Sequence, residues 1–170
     1  MRCRNEQTMT RKHDIAGVIA PPPLLALTAI MLGLALDWLL PTYVLRVLLT
    51  WPERMVIGGV LFVACGGLGL PALWGFYKAG THVEPWKPAS ALVTGGIYRY
   101  VRNPMYVGVM LFLAGLAILL ASDWMLVMTV VFALVIHFGV VKREERYLAA
   151  KFGEPYRRYL KTVPRYGRPG

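Results

Sequence analysis

Residues 98–106 combine basic and aromatic side chains of the kinds that bind a charged ligand. Arg99 and Arg102 stand three residues apart, and three tyrosines occupy positions around them. These tyrosines are Tyr98, Tyr100 and Tyr106. Guanidinium groups bind carboxylates or phosphates, and the faces of tyrosine rings attract a sulfonium or ammonium cation. The segment therefore predicts a binding site for a ligand that carries a negative group, a positive group or both.

Asn103-Pro104, inside this segment, has two interpretations. Asn is a favoured N-cap and Pro a favoured first helical residue, so the pair by itself is explained by the start of a helix. A helix N-terminus also binds anions through its free N–H groups. The cap does not account for the neighbouring arginines and tyrosines, and both interpretations stand on the residues alone.

A second charged cluster, Arg143-Glu144-Glu145, follows after a long apolar stretch. Among further basic residues it could be an ordinary solvated cluster of charges. Alternatively, one carboxylate points back towards Arg102 and Asn103, where it would bind ribose hydroxyls or offset a positive charge. Adjacent helical residues are about 100° apart, so we expect only one of the two glutamates to face such a site.

Long apolar segments must bring these two clusters together. Hydrophobic residues make up 56% of the 170 residues, and a transmembrane helix needs roughly 20 consecutive apolar residues. Four predicted spans cover residues 22–40, 55–77, 104–122 and 124–141. The last two form a tight hairpin that breaks at Asp123, so both charged clusters lie on the same side of the bilayer. The sequence predicts an all-α integral membrane protein.

The distribution of positive charge indicates the topology. With four spans, seventeen of the 19 Lys and Arg residues fall on one side of the bilayer and two on the other. The positive-inside rule then places both termini in the cytoplasm, with residues 1–21 as a basic tail. The net charge of +10 is therefore explained by topology and by attraction to anionic headgroups. We predict no nucleic-acid partner.

Two segments outside the spans complete the predicted domain, residues 22–170. The cytoplasmic loop 78–103 is long for a helix connection, and such loops are often functional. Residues 142–170 have an amphipathic pattern that predicts a surface helix interrupted near Gly153-Glu154-Pro155, or simply a lipid-binding tail. The glycines of the second span indicate close helix packing, and they also permit oligomers. No Cys or His pair has the spacing of metal ligands.

One histidine lies within an apolar segment and has two interpretations. His137 lies within the fourth predicted span, where an ionisable residue indicates a function by default. It is equally explained as a neutral histidine that is hydrogen-bonded to a neighbouring helix.

Two segments together resemble the isoprenylcysteine carboxyl methyltransferase family and its prokaryotic relatives, a group related to phospholipid N-methyltransferases. They are LVTGGIYRYVRNPMYVG (Leu92–Gly108) and REERYLAAKFGEPYRRYLKTVPR (Arg143–Arg165). The similarity covers roughly residues 78–169. It implies S-adenosylmethionine as the methyl donor, bound at the cytoplasmic ends of the last helices.

The resemblance also implies which residues form the site. The cofactor contacts carried over are Leu92, Val93, Gly96, Tyr98, Asn103, Pro104, Tyr106 and Glu145. The implied catalytic residues are Arg102, Arg143 and Glu145, with the arginines orienting the carboxylate of the acceptor or cofactor. Glu145 is chosen over Glu144 because it stands at the family's spacing from Phe152-Gly153. The family usually has His at the position of Asn103, and Asn can form hydrogen bonds but cannot titrate.

The sequence alone does not determine which group accepts the methyl group. A carboxylate acceptor is already a nucleophile and needs no general base, whereas a protonated amine would need one, for which Glu145 is the obvious candidate. The first prediction is carboxyl O-methylation of a lipophilic, isoprenylcysteine-type acceptor that enters from the bilayer. The alternatives are N-methylation of a phospholipid amine, or a non-catalytic scaffold or lipid-binding protein.

Overall fold

All regular structure in residues 15–167, the part of the chain that the computed structural model describes, is helical. The helices are α1 (Pro22–Leu39), α2 (Val44–Leu48), α3 (Trp51–Ala79), a 3-10 turn (Gly96–Arg99), α4 (Pro104–Leu120), α5 (Asp123–Ile136), a π-helical segment (His137–Val141), α6 (Lys142–Phe152) and α7 (Glu154–Thr162). The prediction of an all-α chain is confirmed over these residues. The predicted basic tail falls largely on residues 1–14, which lie outside the described part.

Three helical runs are long and apolar enough to cross a membrane. They are α1 with 18 residues, α3 with 29, and the continuous run from Asp123 to Phe152 with 30. The third predicted span, residues 104–122, corresponds to α4, an apolar helix of 17 residues that is shorter than these three runs. α3 packs extensively along α4, and α5 packs against both α1 and α4.

Acidic side chains organise the helix ends near residues 50 and 123. The predicted second span begins at residue 55, but α3 already begins at Trp51. This start is earlier because the Glu53 carboxylate accepts a hydrogen bond from the Thr50 N–H (2.7 Å) and thereby caps the helix. Asp123, at the predicted break of the hairpin, accepts hydrogen bonds from the N–H groups of Val44 (2.8 Å) and Leu45 (2.9 Å). It thus ties α2 to the hairpin.

Small residues allow α3 and α4 to approach closely. A Cβ atom at Gly115 would lie 3.3 Å from the Gly58 carbonyl oxygen, and one at Gly108 would lie 3.4 Å from the Cys65 carbonyl oxygen. The packing interpretation of the α3 glycines is correct for Gly58, whose own Cβ would overlap Leu119. It is wrong for Gly59, Gly66 and Gly67, where a Cβ would meet no atom within 4 Å.

We expect Gly115→Val to destabilise the protein, because the larger side chain must push α3 and α4 apart. Overpacking of this kind typically costs about 1–3 kcal/mol. Gly66→Val is the matched control, since it adds the same β-branched side chain to a helix where a Cβ meets no neighbour within 4 Å. Thermal unfolding in detergent is the measurement. Equal unfolding temperatures for the two variants would contradict the close approach of the helices.

The fourth predicted span ends at Val141, but the helix itself is longer. It continues through the π-helical segment into α6 and ends at Phe152. The π-helical segment widens the helix for one turn, a feature that often accompanies functional sites. Gly153 then adopts a φ of +62° and separates α6 from α7, so the predicted interruption near this glycine is confirmed. α7 buries Tyr156 and Tyr159.

Candidate functional site

A cavity lies where the start of α4, α6, α7 and the loop before the 3-10 turn meet. Most of the residues that were predicted for the site line it: Leu92, Val93, Tyr98, Arg102, Asn103, Pro104, Tyr106 and Glu145. Gly96 and Arg143 do not. Gly96 has a φ of +59° in the 3-10 turn, and the Arg143 Nη1 donates a hydrogen bond to the Gly17 carbonyl oxygen (2.8 Å). Arg99, the predicted companion of Arg102, is exposed and also lies outside the cavity.

The start of α4 places three of these residues at the cavity wall. Pro104 is at the beginning of the helix, as predicted, and Asn103 occupies the N-cap position. The helix start that the pair predicts is confirmed, but the Asn103 side chain forms no cap hydrogen bond. Its Nδ2 instead donates to the Arg165 carbonyl oxygen (3.4 Å). The asparagine therefore connects α4 to the C-terminal end of the described chain.

Glu145 lies between two guanidinium groups. Arg165 binds it in a bidentate manner, with Nε 2.8 Å from Oε1 and Nη2 2.5 Å from Oε2. The Arg102 Nη1 lies 3.2 Å from the same Oε1. The side chains of Glu145 and Arg102 are only 13% and 10% exposed. Charges this buried require partners, because desolvation is costly.

Arg102 is nevertheless incompletely paired. Its Nε and Nη1 are buried and complete no hydrogen bond with any group in the described part of the chain. The contact with Glu145 is an ion pair whose hydrogen-bond geometry is poor. A buried guanidinium with unpaired donors that lines a cavity is chemically suited to an anionic ligand, such as a carboxylate or a phosphate.

Glu144 also lines the cavity, so the expectation that only one of the two glutamates would face it is wrong. The Tyr106 hydroxyl donates a hydrogen bond to Glu144 Oε2 (2.9 Å). Each carboxylate has a partner of its own. Tyr106 of α4 is the partner of Glu144, and Arg165 near the C-terminal end is the partner of Glu145. Two carboxyl groups and one incompletely paired guanidinium thus share one site.

Tyrosines close the side of the cavity next to α7. The Tyr159 hydroxyl donates to the Tyr98 carbonyl oxygen (2.6 Å), and the Tyr98 ring packs edge-on against Phe76, with centroids 5.6 Å apart. Burial raises the pKa of Tyr159 to about 12, and burial also raises the pKa of Tyr98. Both hydroxyls therefore stay protonated near neutral pH and act as hydrogen-bonding groups rather than as bases.

Sequence reasoning missed the C-terminal strap, residues 163–166, as part of the site. The Arg102 N–H donates to the Pro164 carbonyl oxygen (3.0 Å), and Tyr166 Oη lies 3.0 Å from His137 Nδ1. His137 thus has its hydrogen-bonding partner in the strap. The available signal was Arg165 itself, a basic residue that follows Val-Pro beyond the amphipathic helix.

Comparisons with known proteins identify relatives of this region. Residues 53–155 match the family model described as phospholipid methyltransferase. The chain is 43% identical over 76 residues to the protein-S-isoprenylcysteine O-methyltransferase of Schizosaccharomyces pombe, over 43% of this chain and 31% of that protein. It is 37% identical over 62 residues to an uncharacterized protein of Haemophilus influenzae, over 36% of this chain and 98% of that protein. No solved structure matches the chain.

The matched residues contain most of the cavity but not all of it. They include Arg102, Asn103 and both glutamates, whereas Tyr156 and Tyr159 follow the last matched residue of the family model. The resemblance predicted from the sequence motifs is confirmed by these matches. The chain spans about a third of the length of the yeast relative.

Proposed function

Because the chain belongs to the phospholipid methyltransferase family, we propose that it is an integral-membrane methyltransferase that uses S-adenosylmethionine to methylate a lipophilic acceptor. The observation that carries this proposal is the buried, incompletely paired Arg102 in a cavity that also contains two carboxyl groups. The yeast relative is named for O-methylation of an isoprenylcysteine. A carboxylate is therefore the acceptor group that we favour.

The cavity residues fit the charges of S-adenosylmethionine, which has a sulfonium, an amino acid end and a ribose. Glu144 and Glu145 are suited to ribose hydroxyls or to positive charge, and the tyrosines offer ring faces to a cation. Leu92 and Val93 add apolar surface. When bound, S-adenosylmethionine supplies an electrophilic methyl group for an in-line displacement. The protein must align the two reactants and exclude water from them.

Arg102 would orient the acceptor in this mechanism. Arg102 lines the cavity, and its guanidinium donors can form a charge-assisted hydrogen bond with a carboxylate. A carboxylate needs no proton removed before it attacks, which agrees with the protonated state of Tyr98 and Tyr159. The same donors would also fit the carboxylate end of the cofactor, so cofactor and acceptor affinities must be measured separately.

N-methylation of a phospholipid amine is the second candidate, and one observation favours it. Glu144 is half-buried and accepts a hydrogen bond from Tyr106, so it could accept the proton that an ammonium group must lose. Glu145, the base proposed from the sequence, is instead occupied by Arg102 and Arg165. A third alternative, a non-catalytic scaffold, predicts only structural roles for Arg102, Asn103 and Glu145, and binding of S-adenosylmethionine discriminates it from an enzyme.

The proposed topology has four spans with both termini in the cytoplasm. α4 has 17 residues and a length of about 26 Å, close to the roughly 30 Å of the hydrocarbon core. Trp38 and Trp51 are exposed at the end of the bundle opposite the cavity, where interfacial tryptophans are common. The exposed basic residues of α6 and α7 would rest on the cytoplasmic surface. The acceptor would enter from the bilayer, and S-adenosylmethionine from the cytoplasm.

The test is methyl transfer by the purified protein in lipid vesicles, with labelled S-adenosylmethionine. Two acceptors are compared: a long-chain S-alkylated cysteine and phosphatidylethanolamine. Label that alkali releases as methanol identifies a carboxyl ester, whereas alkali-stable label identifies N-methylation. We expect alkali-labile label on the cysteine derivative. If calorimetry detects no S-adenosylmethionine binding to the folded protein, the proposal is wrong and the scaffold alternative replaces it.

A further inference from the structure

Arg165 and Arg102 compete for one carboxylate, and Arg165 has the better geometry. Arg165 makes two aligned hydrogen bonds to Glu145, at 2.8 and 2.5 Å. Arg102 makes one ion-pair contact at 3.2 Å without a completed hydrogen bond. Bidentate pairs are the strongest form of an arginine–carboxylate contact. The orientation of Glu145 is therefore set mainly by Arg165.

The two arginines differ in their access to the cavity. Arg102 lines it, whereas Arg165 does not and contacts Glu145 from outside the lining. The other carboxylate of the cavity, Glu144, accepts a hydrogen bond from Tyr106. Glu145 is thus the carboxylate that pairs with Arg102, and Arg165 occupies both of its oxygens.

The C-terminal strap holds Arg165 in this position through three contacts. The Pro164 carbonyl accepts from the Arg102 N–H (3.0 Å), and the Arg165 carbonyl accepts from Asn103 (3.4 Å). Tyr166 contacts His137 (3.0 Å). The strap is therefore attached to the segment that supplies the cavity arginine, so the backbones of Arg102 and Arg165 are held next to each other.

From this arrangement we infer that Arg165 is a positioning residue, which keeps Glu145 away from a bidentate pair with Arg102 and so leaves Arg102 with hydrogen-bonding capacity for an anionic ligand. Without Arg165, Glu145 would turn to Arg102 and complete the hydrogen bond that the Arg102 Nη1 lacks. The inference rests on the proposed function only in naming the ligand as the carboxylate acceptor. Arg165 itself contacts no ligand.

The test measures how strongly the protein prefers a charged probe over a neutral one. N-acetyl-S-dodecylcysteine and its carboxamide differ at one group, and calorimetry with protein in detergent gives both affinities without turnover. A charge-assisted contact is worth about tenfold or more in affinity. We expect wild type to prefer the carboxylate by about tenfold, and Arg165→Ala to reduce this preference to within about threefold. Arg165→Lys should retain part of it.

A second variant separates positioning from a merely structural role. If Arg165 acts by restraining Glu145, then Arg165→Ala combined with Glu145→Gln should regain the preference, because the neutral amide cannot neutralise Arg102. If Arg165 only supports the fold, both probes should weaken equally and the double variant should be worse than either single one. That result would overturn the inference. Arg157→Ala, an exposed arginine of α7, is the control and should match wild type.

The outcome is independent of the proposed reaction. Absence of S-adenosylmethionine binding or methyl transfer in wild type would contradict the proposed function while the probe preference still decides the role of Arg165. A wild-type protein that binds both probes equally would overturn the inference, since Arg102 would then not be available to an anion.

Discussion

Arg102→Ala is expected to reduce methyl transfer, as kcat/KM for the acceptor, by roughly 100-fold. Truncating one partner of a buried, hydrogen-bonded charge pair costs about 2–5 kcal/mol, and about 2.7 kcal/mol corresponds to 100-fold. The effect should be large because Arg102 is 10% exposed and has unpaired donors at the cavity. Arg102→Lys should recover only part of the loss, since an ammonium group cannot form the two directed bonds of a guanidinium.

The matched control for this variant is Arg99→Ala. Arg99 has the same side chain three residues earlier, but it is exposed and does not line the cavity. It should retain activity within about twofold, because surface substitutions usually change little. The affinity for S-adenosylmethionine, measured by calorimetry, assigns the contact. An unchanged affinity with a raised acceptor KM indicates that Arg102 binds the acceptor, and a lost affinity indicates the cofactor carboxylate. Full activity of Arg102→Ala would contradict both assignments.

Glu145→Ala is expected to lower stability and cofactor affinity together. The substitution leaves two guanidinium groups without their shared carboxylate, and removing one partner of a buried pair costs about 3–5 kcal/mol. The protein should unfold at a distinctly lower temperature in detergent, and S-adenosylmethionine should bind at least about tenfold more weakly. Glu145→Gln keeps the shape and one acceptor oxygen, and it should lie between Glu145→Ala and wild type in both measurements.

Glu154→Ala provides the comparison for an exposed pair. Glu154 lies 3.6 Å from Arg158, with side chains that are 58% and 79% exposed. Exposed pairs contribute about 0–1 kcal/mol, so this variant should unfold close to the wild-type temperature and bind S-adenosylmethionine normally. If Glu145→Ala behaves in the same way as Glu154→Ala, the pairing around Arg102 and Arg165 does not organise the site.

The sequence alone was sufficient for the features that depend on local pattern. Runs of apolar residues indicate helices that cross a membrane, and the proline at residue 104 indicates where α4 begins. Asp123 and Gly153 interrupt the helical pattern, and the structure has a break at Gly153 and another at Ala121-Ser122, directly before Asp123. The two charged clusters were expected on one side because a single hairpin separates them, and residues from both line one cavity. These inferences need only the chain order and the preferences of short segments.

The partner of each charged side chain was decided by the tertiary structure. The Asn103 side chain, at the N-cap of α4, donates to the Arg165 carbonyl oxygen instead of to its own helix, and Arg143 turns away to Gly17. Both glutamates face the cavity because α4 and the C-terminal strap supply a partner to each. A hydrogen bond depends on distances of a few tenths of an ångström between segments far apart in sequence, which no local periodicity encodes. The sequence therefore determined which residues meet at the site, while the packing of α4, α6 and the strap determined which guanidinium group is left available to a ligand.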